Sequence, residues 1–310
     1  MRRINSHEKK ETLEKLNAPT IECIYNHSQK LDEQERVKKL EKEVKERRKQ
    51  NKEDLQGSLP PYVFKLRQVE FKMIHVKVAP FVMGATSEQG EDAKDDEKPA
   101  HIVTLTNDYW IGETPVTQAL WEVVMGYNPS YFAKKGIKSI SDFNRPVEVV
   151  TWIDCQVFIA KLNQRVKEKH LITDLEFCFP TEAEWEFAAR GGIYSKGYKY
   201  AGSKHISDVA WCNDKETHPV ADTKKPNELG LYDMSGNVWE WCKDIYSEKA
   251  YHEGEQKDPE GPENGNRRVA RGGSSHCDPS FCRVSKRGHG NIHHAGNGLG
   301  LRLVLKKKKQ

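Results

Sequence analysis

The chain has 310 residues, of which 36% are hydrophobic and 31% are charged, a composition that is polar for a globular protein but not that of a disordered one. The net charge of +4 owes part of its excess to the tail Lys306–Lys309, and no basic patch interleaved with aromatic residues accompanies it, so we expect no nucleic-acid partner. No apolar run approaches the length of a membrane span, and the basic start Met1–Glu8 lacks the apolar core of a signal peptide, which predicts a cytoplasmic protein.

Residues 1–57 are rich in Glu, Lys, Arg and Gln, which predicts a charged helical extension. Four apolar residues in this stretch follow a near-heptad spacing: Leu31, Val37, Leu40 and Val44. Because the pattern is too short for a stable coiled coil, the helix is expected either to dock on the body or to serve as a weak oligomerisation element. The sequence Gly57-Ser58-Leu59-Pro60-Pro61 breaks the helix and predicts a boundary to a second domain, residues 58–310.

The body begins with strand signals. Phe71–Val78 roughly alternates apolar and polar residues, and Phe81–Gly84 follows a proline turn. His101–Thr106 and Tyr109–Ile111 are predicted to form a strand pair, with a hairpin turn at Asn107-Asp108 between them.

Three helices are predicted next, and each begins at a threonine that can cap it: Thr117, Thr151 and Thr181. The second and third threonines are followed three residues later by an acid, the pattern of a capping box. After Gly192 the helix signals are few, and Gly, Asn, Pro and Asp recur as far as Arg302. This half is expected to be rich in loops and organised by short strands, among them Arg268–Ser274 and Leu299–Leu305.

Seven cysteines are scattered along the chain without a CxxC pair or histidines at zinc-site spacing. Their distribution predicts reduced, mostly buried thiols rather than a disulfide framework. Two of them, Cys277 and Cys282, lie five positions apart in a polar segment that is expected to be an exposed, irregular surface.

Several phrases occur in order along the body: Phe81–Gly84, Glu113–Thr117, Arg145–Val147, Pro180–Glu186, Gly230–Trp241, Arg271–Ser274 and Gly300–Arg302. Together they resemble the formylglycine-generating enzyme (sulfatase-modifying factor) family, from about Phe71 to Leu305. The resemblance implies an α+β, C-type-lectin-like fold, rich in loops around a mixed central sheet. The family holds oxidases, related iron enzymes and non-catalytic members, so the fold leaves the function open.

The resemblance implies a first, enzymatic function. In the oxidases, two cysteines five positions apart after Arg-Gly-Gly-Ser hold Cu(I), which activates O2 to convert a substrate cysteine into formylglycine. Cys277 and Cys282 match those positions, and soft thiolates are suitable ligands for Cu(I). By the same resemblance, Ser274 and Trp239 would line the pocket around the copper.

The neighbours of the two cysteines depart from the oxidase pattern. Asp278 and Phe281 stand where the oxidases have a His and a Tyr, and Cys282–Ser285 resembles the non-catalytic branch, in which the cysteine belongs to the framework. In that case Cys282 packs as a small apolar residue and Cys277 is incidental.

The resemblance also implies a calcium site at the turn before Trp239. Asp233 would supply a carboxylate, and three backbone carbonyls would complete a hard-oxygen site. Those carbonyls belong to Met234, Gly236 and Val238. A purely structural turn capped by Asp233 is the alternative.

A second resemblance concerns residues 275–298, which contain no Glu, Gln, Met or Trp. The residue types present are mostly those reached when the first two bases of an Asn codon ending in a pyrimidine are scrambled. This is similar to the variable region of bacterial diversity-generating retroelement proteins, which use the same lectin-like fold. The resemblance implies a framework formed by Arg271–Ser274, Cys282–Ser285, Arg287 and Leu299–Leu303. The exposed residues would then meet the ligand: Ser275, His276, Cys277, Asp278, Ser280, Phe281, Gly288, His289, Asn291, His293, His294 and Asn297.

Two simpler interpretations of this segment remain. An ordinary polar loop would also favour Gly, Asn, Ser and His. The cluster of His289, His293 and His294 could bind a metal, although no predicted helix places the three on one face.

The sequence therefore predicts a non-catalytic ligand-binding protein that presents a variable surface at about 275–298 to an unknown protein or other macromolecular ligand. The alternative is a Cu(I)-dependent oxidase that makes formylglycine through Cys277 and Cys282. A third possibility is a purely structural accessory domain.

Overall fold

The computed structural model describes residues 18–50, 58–134 and 144–308, with side chains of the first helix described from residue 26. The helices are α1 (Ala18–Gln50), α2 (Gln118–Met125), α3 (Trp152–Glu168), α4 (Glu182–Ala189) and α5 (Ile206–Val209). The strands are β1 (Tyr62–Leu66), β2 (Val69–Val76), β3 (Phe81–Met83), β4 (His101–Thr104), β5 (Tyr109–Gly112), β6 (Leu175–Cys178), β7 (Trp239–Ile245), β8 (Gln256–Lys257), β9 (Arg267–Arg271), β10 (Arg287–Asn291), β11 (Leu299–Leu301) and β12 (Val304–Lys307). Long irregular segments join these short elements, as the sequence predicted. The start Met1–Glu8 and the helix break at Gly57 lie outside the described residues.

The strands form three small sheets. The largest has the order β1-β2-β5-β12-β6 and is antiparallel throughout. The second has the order β10-β9-β7-β11, in which β11 runs parallel to β7, and the third has the order β3-β4-β8. Helices and mixed sheets together confirm the predicted α+β class.

Two strand predictions are wrong. The hairpin at Asn107-Asp108 does not form, since β4 pairs with β3 and β8 whereas β5 pairs with β2 and β12. The Asp108 carboxylate instead accepts a hydrogen bond from the Val78 amide at 3.0 Å, which ties two loops together. Leu299–Leu305 is not one strand but two, because the chain leaves β11 and enters β12 in a different sheet, with the Arg302 side chain buried at the crossing.

The predicted helix starts are confirmed at atomic detail. The Thr117, Thr151 and Thr181 side chains accept hydrogen bonds from backbone amides of the first helical turn, and the second and third form complete capping boxes. The apolar faces of α2 and α3 meet where the Trp121 and Phe158 rings stack with centroids 4.8 Å apart. These helices cover one side of the core, so the aromatic residues are packing residues, as predicted.

The helix α1 packs against the body. In α1, Val37 and Val44 are buried and Leu40 is half-buried. They pack against an apolar patch at β3 and β4 that is formed by Val82, Ala100 and Ile102. Leu31, the fourth residue of the near-heptad pattern, remains 47% exposed. The apolar stripe of the helix is therefore used mainly for intramolecular docking. None of the described helices is both long enough and apolar enough to cross a bilayer.

Candidate functional site

The segment that the sequence singled out folds around a hairpin-like pair of strands. β9 and β10 are antiparallel, with Arg271 paired to Arg287 in register. Between them, the chain turns at Gly272 and Gly273, both with positive φ, and forms a short 3-10 helix, Pro279–Cys282. A Cβ atom at position 273 would lie 2.7 Å from the Cys282 sulfur, so this turn requires glycine. The loop 292–298 then leads from β10 into β11.

Two arginines hold β9 and β10 to helix α4. The Arg271 guanidinium is fully buried, forms an ion pair with Glu186, and donates to the Ser285 carbonyl at 2.7 Å. The Arg287 guanidinium donates to both oxygens of Glu182, at 2.7 and 3.0 Å. Burial raises the pKa of Glu182, but the charges of Arg287 and Arg271 outweigh it, and the net pKa is lowered. The Glu182 carboxylate therefore remains ionised inside the protein.

Two further arginines complete the framework. Arg283 donates to both oxygens of Glu97, at 2.6 and 2.8 Å, and the Ser285 hydroxyl donates to the same carboxylate. Arg302 donates to Glu240 at 2.8 to 3.1 Å. The side chains of both pairs, Arg283 with Glu97 and Arg302 with Glu240, have no exposed surface. The predicted framework residues are thus fixed by paired charges from distant parts of the chain.

Most of the predicted ligand-contacting residues are on the outside. Among the predicted positions, the exposed ones are His276, Asp278, Phe281, His289, Asn291, His293, His294 and Asn297, and the half-buried ones are Cys277, Ser280 and Gly288. Ser275 is the exception, because it is fully buried rather than exposed as predicted. Its amide donates to the Asn237 carbonyl at 2.9 Å and its carbonyl accepts from the Asp214 amide at 2.7 Å, so it belongs to the framework.

Part of this exposed set lines one cavity of about 340 Å³. From the predicted ligand-contacting set, the cavity is lined by His276, Gly288, His289, His294 and Asn297. Ser274 and Trp239, which the resemblance to oxidases implicated, line the same cavity. The other predicted contacts, among them Phe281 and His293, lie outside it.

A third cysteine packs near Cys282. Cys282 is fully buried and packs with Tyr200, Val209 and the half-buried Cys212. Hydrogen bonding with the Cys282 thiol lowers the pKa of Cys212 to about 7, whereas the same contact, together with burial, raises the pKa of Cys282 far above its usual range. Cys212 was missed by the sequence analysis because nothing in its spacing connects it with Cys282, 70 residues later.

Cys277 lies at the edge of this group. Its sulfur is 3.2 Å from the Ser274 hydroxyl, and its proximity contributes to the raised pKa of Cys282. Cu(I) binds thiolates, and a bound metal lowers the pKa of its thiol ligands, so copper held by Cys277 and Cys282 stays a prediction.

The predicted calcium turn is held by hydrogen bonds within the protein. Asp233 is buried with φ 57°, and its carboxylate accepts from the Ala221 amide at 3.0 Å and lies 3.4 Å from the Asn237 side-chain nitrogen. Burial raises the pKa of Asp233 to about 6. Within the described ranges, no group of three His, Cys, Asp or Glu residues could hold a metal ion. Calcium bound by Asp233 and the carbonyls of Met234, Gly236 and Val238 stays a prediction.

Residues from elsewhere in the chain flank the variable segment. The Phe132 ring stacks on His276 with centroids 5.8 Å apart. On the other side, Trp211 stacks on His218 at 3.7 Å, and the Asn213 amide donates to the Cys277 carbonyl at 3.0 Å. The sequence did not predict that these residues flank the variable segment, because only the tertiary fold brings them next to it.

Comparison with known proteins places these features in a family. Residues 63–307 match the family model described as sulfatase-modifying factor enzyme 1-like domain. The chain is 34% identical over 251 residues to the chaperone protein LppX of Paenibacillus barcinonensis, covering 66% of this chain and 82% of that protein. It is 35% identical over 180 residues to the formylglycine-generating enzyme of Streptomyces coelicolor, covering 52% of each. The chain thus spans about half the length of that enzyme.

Solved structures give the same result for the fold. Treponema denticola variable protein 1 superimposes with a TM-score of 0.68 at 30% identity, covering 80% of this chain and all of that one. PvdO from Pseudomonas aeruginosa superimposes with a TM-score of 0.61 at 22% identity, covering 81% of this chain and 100% of that one, and it supports the fold alone. Both the sequence match and the architecture lead to one conclusion: the chain belongs to the sulfatase-modifying factor enzyme 1-like family, with a formylglycine-generating-enzyme-like lectin fold.

Proposed function

We propose that this protein binds a protein or other macromolecular ligand without catalysis, through interchangeable side chains displayed on residues 275–298. The observation that carries the proposal is the separation of roles within one short segment. Arg271, Arg283 and Arg287 are buried and paired, whereas His276, His289 and His294 between or beside them are exposed.

This separation has an energetic consequence. Breaking a buried ion pair costs about 3–5 kcal/mol, whereas exposed substitutions usually change stability by about 0.5 kcal/mol or less. The side chains that face solvent can therefore change while the backbone below them stays fixed. A surface of this kind suits a binding protein whose specificity is altered by substitution.

The cavity gives the surface a definite shape. It is lined by the half-buried Trp239 indole and by the exposed residues His276, His289, His294 and Asn297. A half-buried aromatic ring surrounded by polar side chains is typical of the centre of a protein interface, where a side chain of the partner is desolvated. We therefore expect the ligand to place a side chain over Trp239.

Two relatives support a binding function. One solved relative is a variable protein by name, and it shares 30% identity with this chain. Another is named as a chaperone rather than an enzyme. These names belong to the relatives, and they favour a binding function here.

A pair of libraries tests the proposal without knowledge of the ligand. One library randomises His276, His289, His294 and Asn297, and the matched library randomises Glu97, Arg283 and Arg287. Displayed on yeast and treated with protease, the first should retain mostly folded variants and the second should lose most of them. Comparable losses in both libraries would contradict a framework that is independent of its exposed side chains.

The natural gene provides a second test. A near-identical copy of the segment nearby, with adenines where these codons vary and next to a reverse transcriptase gene, is expected if the surface is diversified. If sequenced flanking DNA lacks such a copy in several strains and codons 275–298 are invariant among them, diversification of this surface is refuted.

An oxidase is the second candidate function, favoured by the 3.2 Å contact between the Ser274 hydroxyl and the Cys277 sulfur and by the formylglycine-generating enzymes among the relatives. It requires copper loading and O2-dependent loss of the cysteine in a substrate peptide. Both should vanish in Cys277→Ser and in Cys282→Ser. If Cys277→Ser changes neither copper loading nor loss of the substrate cysteine, the oxidase is ruled out. A purely structural accessory domain would show neither copper chemistry nor a template copy.

A further inference from the structure

The base of the variable segment holds two thiols from different parts of the chain. Cys282 ends the 3-10 helix Pro279–Cys282 and has no exposed surface. Cys212 lies in the loop 211–214, is half-buried, and packs into the same apolar cluster as Cys282. The interaction between the two thiols lowers the pKa of Cys212 and raises that of Cys282.

Backbone hydrogen bonds fix both sides of this thiol pair. The Trp211 carbonyl accepts from the Asn237 amide at 2.9 Å, and the Asn213 amide donates to the Cys277 carbonyl at 3.0 Å. These bonds hold the residues directly before and after Cys212. On the other side, the Ser235 hydroxyl donates to the Cys282 carbonyl at 2.7 Å. These bonds therefore fix the backbone around both cysteines of the shared apolar cluster.

The competing thiols are less well placed. The Cys277 sulfur is 3.2 Å from the Ser274 hydroxyl, which gives it a different partner. Cys155 and Cys242 are fully buried in the two main cores, away from this cluster. Among the cysteines whose side chains are described, Cys212 is the half-buried one that packs against the cluster of Cys282, so a small oxidant in solution can reach the pair through it.

We propose that Cys212 and Cys282 form a reversible disulfide, which ties the loop 211–214 to the base of the variable segment. The oxidant is a low-molecular-weight disulfide such as oxidised glutathione. The Cys212 sulfur attacks it, forming a mixed disulfide and releasing one glutathione thiolate. The Cys282 sulfur then attacks the Cys212 sulfur and displaces the second glutathione. Each cysteine loses its proton, two electrons pass to the oxidant, and two glutathione thiols are formed.

The crosslink adds to the framework on the side of Cys277 and His276. In a reducing compartment the thiols stay free, and in an oxidising one the loop 211–214 becomes covalently joined to the segment that presents the variable side chains. The proposal does not depend on the proposed binding function, since it concerns the support of the surface and not its ligand.

The test uses the full-length native protein in glutathione buffers of graded composition. Free thiols are blocked with an alkylating agent, and the digested protein is analysed by mass spectrometry. We expect a crosslinked peptide pair that contains Cys212 and Cys282, with Cys277 alkylated, and we expect dithiothreitol to reverse it. In Cys212→Ser the crosslink should disappear, whereas Cys277→Ser and Cys178→Ser should retain it.

Two results would overturn the proposal. One is a Cys277–Cys282 crosslink in the native protein. The other is full alkylation of Cys212 in a buffer that oxidises a control dithiol protein. Both are read from the unmodified sequence, so the outcome stands even if Cys212→Ser fails to fold.

Discussion

At the scale of single residues, Arg283 connects the variable segment with a distant part of the chain. Its guanidinium has no exposed surface and reaches both oxygens of Glu97, which follows β3 by 14 positions. An arginine left without its acid in such a place would be an unpaired buried charge, and so would the acid without its arginine. Such pairs contribute little net free energy, but neither partner can be lost alone.

Replacing Arg283 with methionine should therefore lower the free energy of unfolding by about 3–5 kcal/mol, as measured by urea denaturation. The matched control is Arg267→Met at the exposed start of β9, which should change it by about 0.5 kcal/mol or less. Adding Glu97→Gln to Arg283→Met should restore part of the loss, because the remaining charge is removed. Equal effects of the two arginine substitutions would show that the pair does not support the segment.

Gly288 marks a limit on variation at the surface. A Cβ atom there would lie 2.7 Å from the Trp239 ring, whereas at Gly296 the nearest atom would be 3.6 Å away. Gly288→Ala should cost about 1–3 kcal/mol by forcing the indole to shift, and Gly296→Ala should cost about 0.5 kcal/mol or less. Urea denaturation measures the cost, and the near-ultraviolet circular dichroism of the tryptophans reports the shift. No spectral change in Gly288→Ala would mean that the Trp239 ring is not in contact with this position.

At the scale of elements, helix α4 and strand β7 meet at two acids. The Asp244 carboxylate accepts from the Glu182 amide at 2.8 Å. Burial, followed by the charge of Glu182, raises the pKa of Asp244 to about 8. Because the unfolded chain releases this proton near pH 4 while the folded protein keeps it, stability falls as pH rises from about 4 to about 8. Glu182 and Glu97 act in the opposite sense, since their pKa values are lowered, and their contribution is lost below about pH 4.

Asp244→Asn should therefore make the protein relatively more stable at pH 8 than at pH 5, in comparison with the wild type. Between pH 5 and pH 8, which lie within the window between the unfolded and folded pKa values, the difference in unfolding free energy is at most about 1.4 kcal/mol for each pH unit. Urea midpoints at the two pH values measure it, with the exposed Asp258→Asn as control. An unchanged pH dependence would mean that Asp244 is ionised in the folded protein.

The docking of α1 can be tested in the same way. Val37→Ala and Val44→Ala together remove apolar groups from the contact with Ile102, and each should cost about 1–2 kcal/mol of docking free energy. Amide hydrogen exchange should accelerate in α1 and at β3, but not in β7. Leu31→Ala, at a 47% exposed position of the same helix, should leave exchange unchanged. Uniform acceleration throughout the domain would indicate that α1 is part of one cooperative unit.

Elements with local signals could be predicted from the sequence. The three threonine caps are local, because each side chain bonds an amide within its own first turn, and all three were predicted correctly. The hairpin at Asn107-Asp108 was wrong because strand pairing depends on distant partners, which a turn dipeptide does not specify. The crossing at Arg302 was missed for the same reason, since only its buried partner Glu240 explains it.

At the scale of the whole molecule, the sequence could predict which segment forms the candidate site, but not which of its residues are buried. The residue bias of 275–298 pointed to the segment whose side chains are mostly exposed. It could not distinguish Ser275, which is buried by backbone pairing with Asn237 and Asp214, from its exposed neighbour His276. It also could not reveal Cys212, whose approach to Cys282 depends on the tertiary path of the loop 211–214.

The strand β12 follows the variable segment in the chain, yet it occupies an inner position of the five-stranded sheet, between β5 and β6. Ribosomal synthesis must therefore pass through codons 275–298 before that sheet can close. A frameshift among those codons would deprive the nascent polypeptide of its inner strand, leaving it open to cellular proteases. Folding itself would thereby act as quality control, so that only gene copies with an intact reading frame yield a durable product.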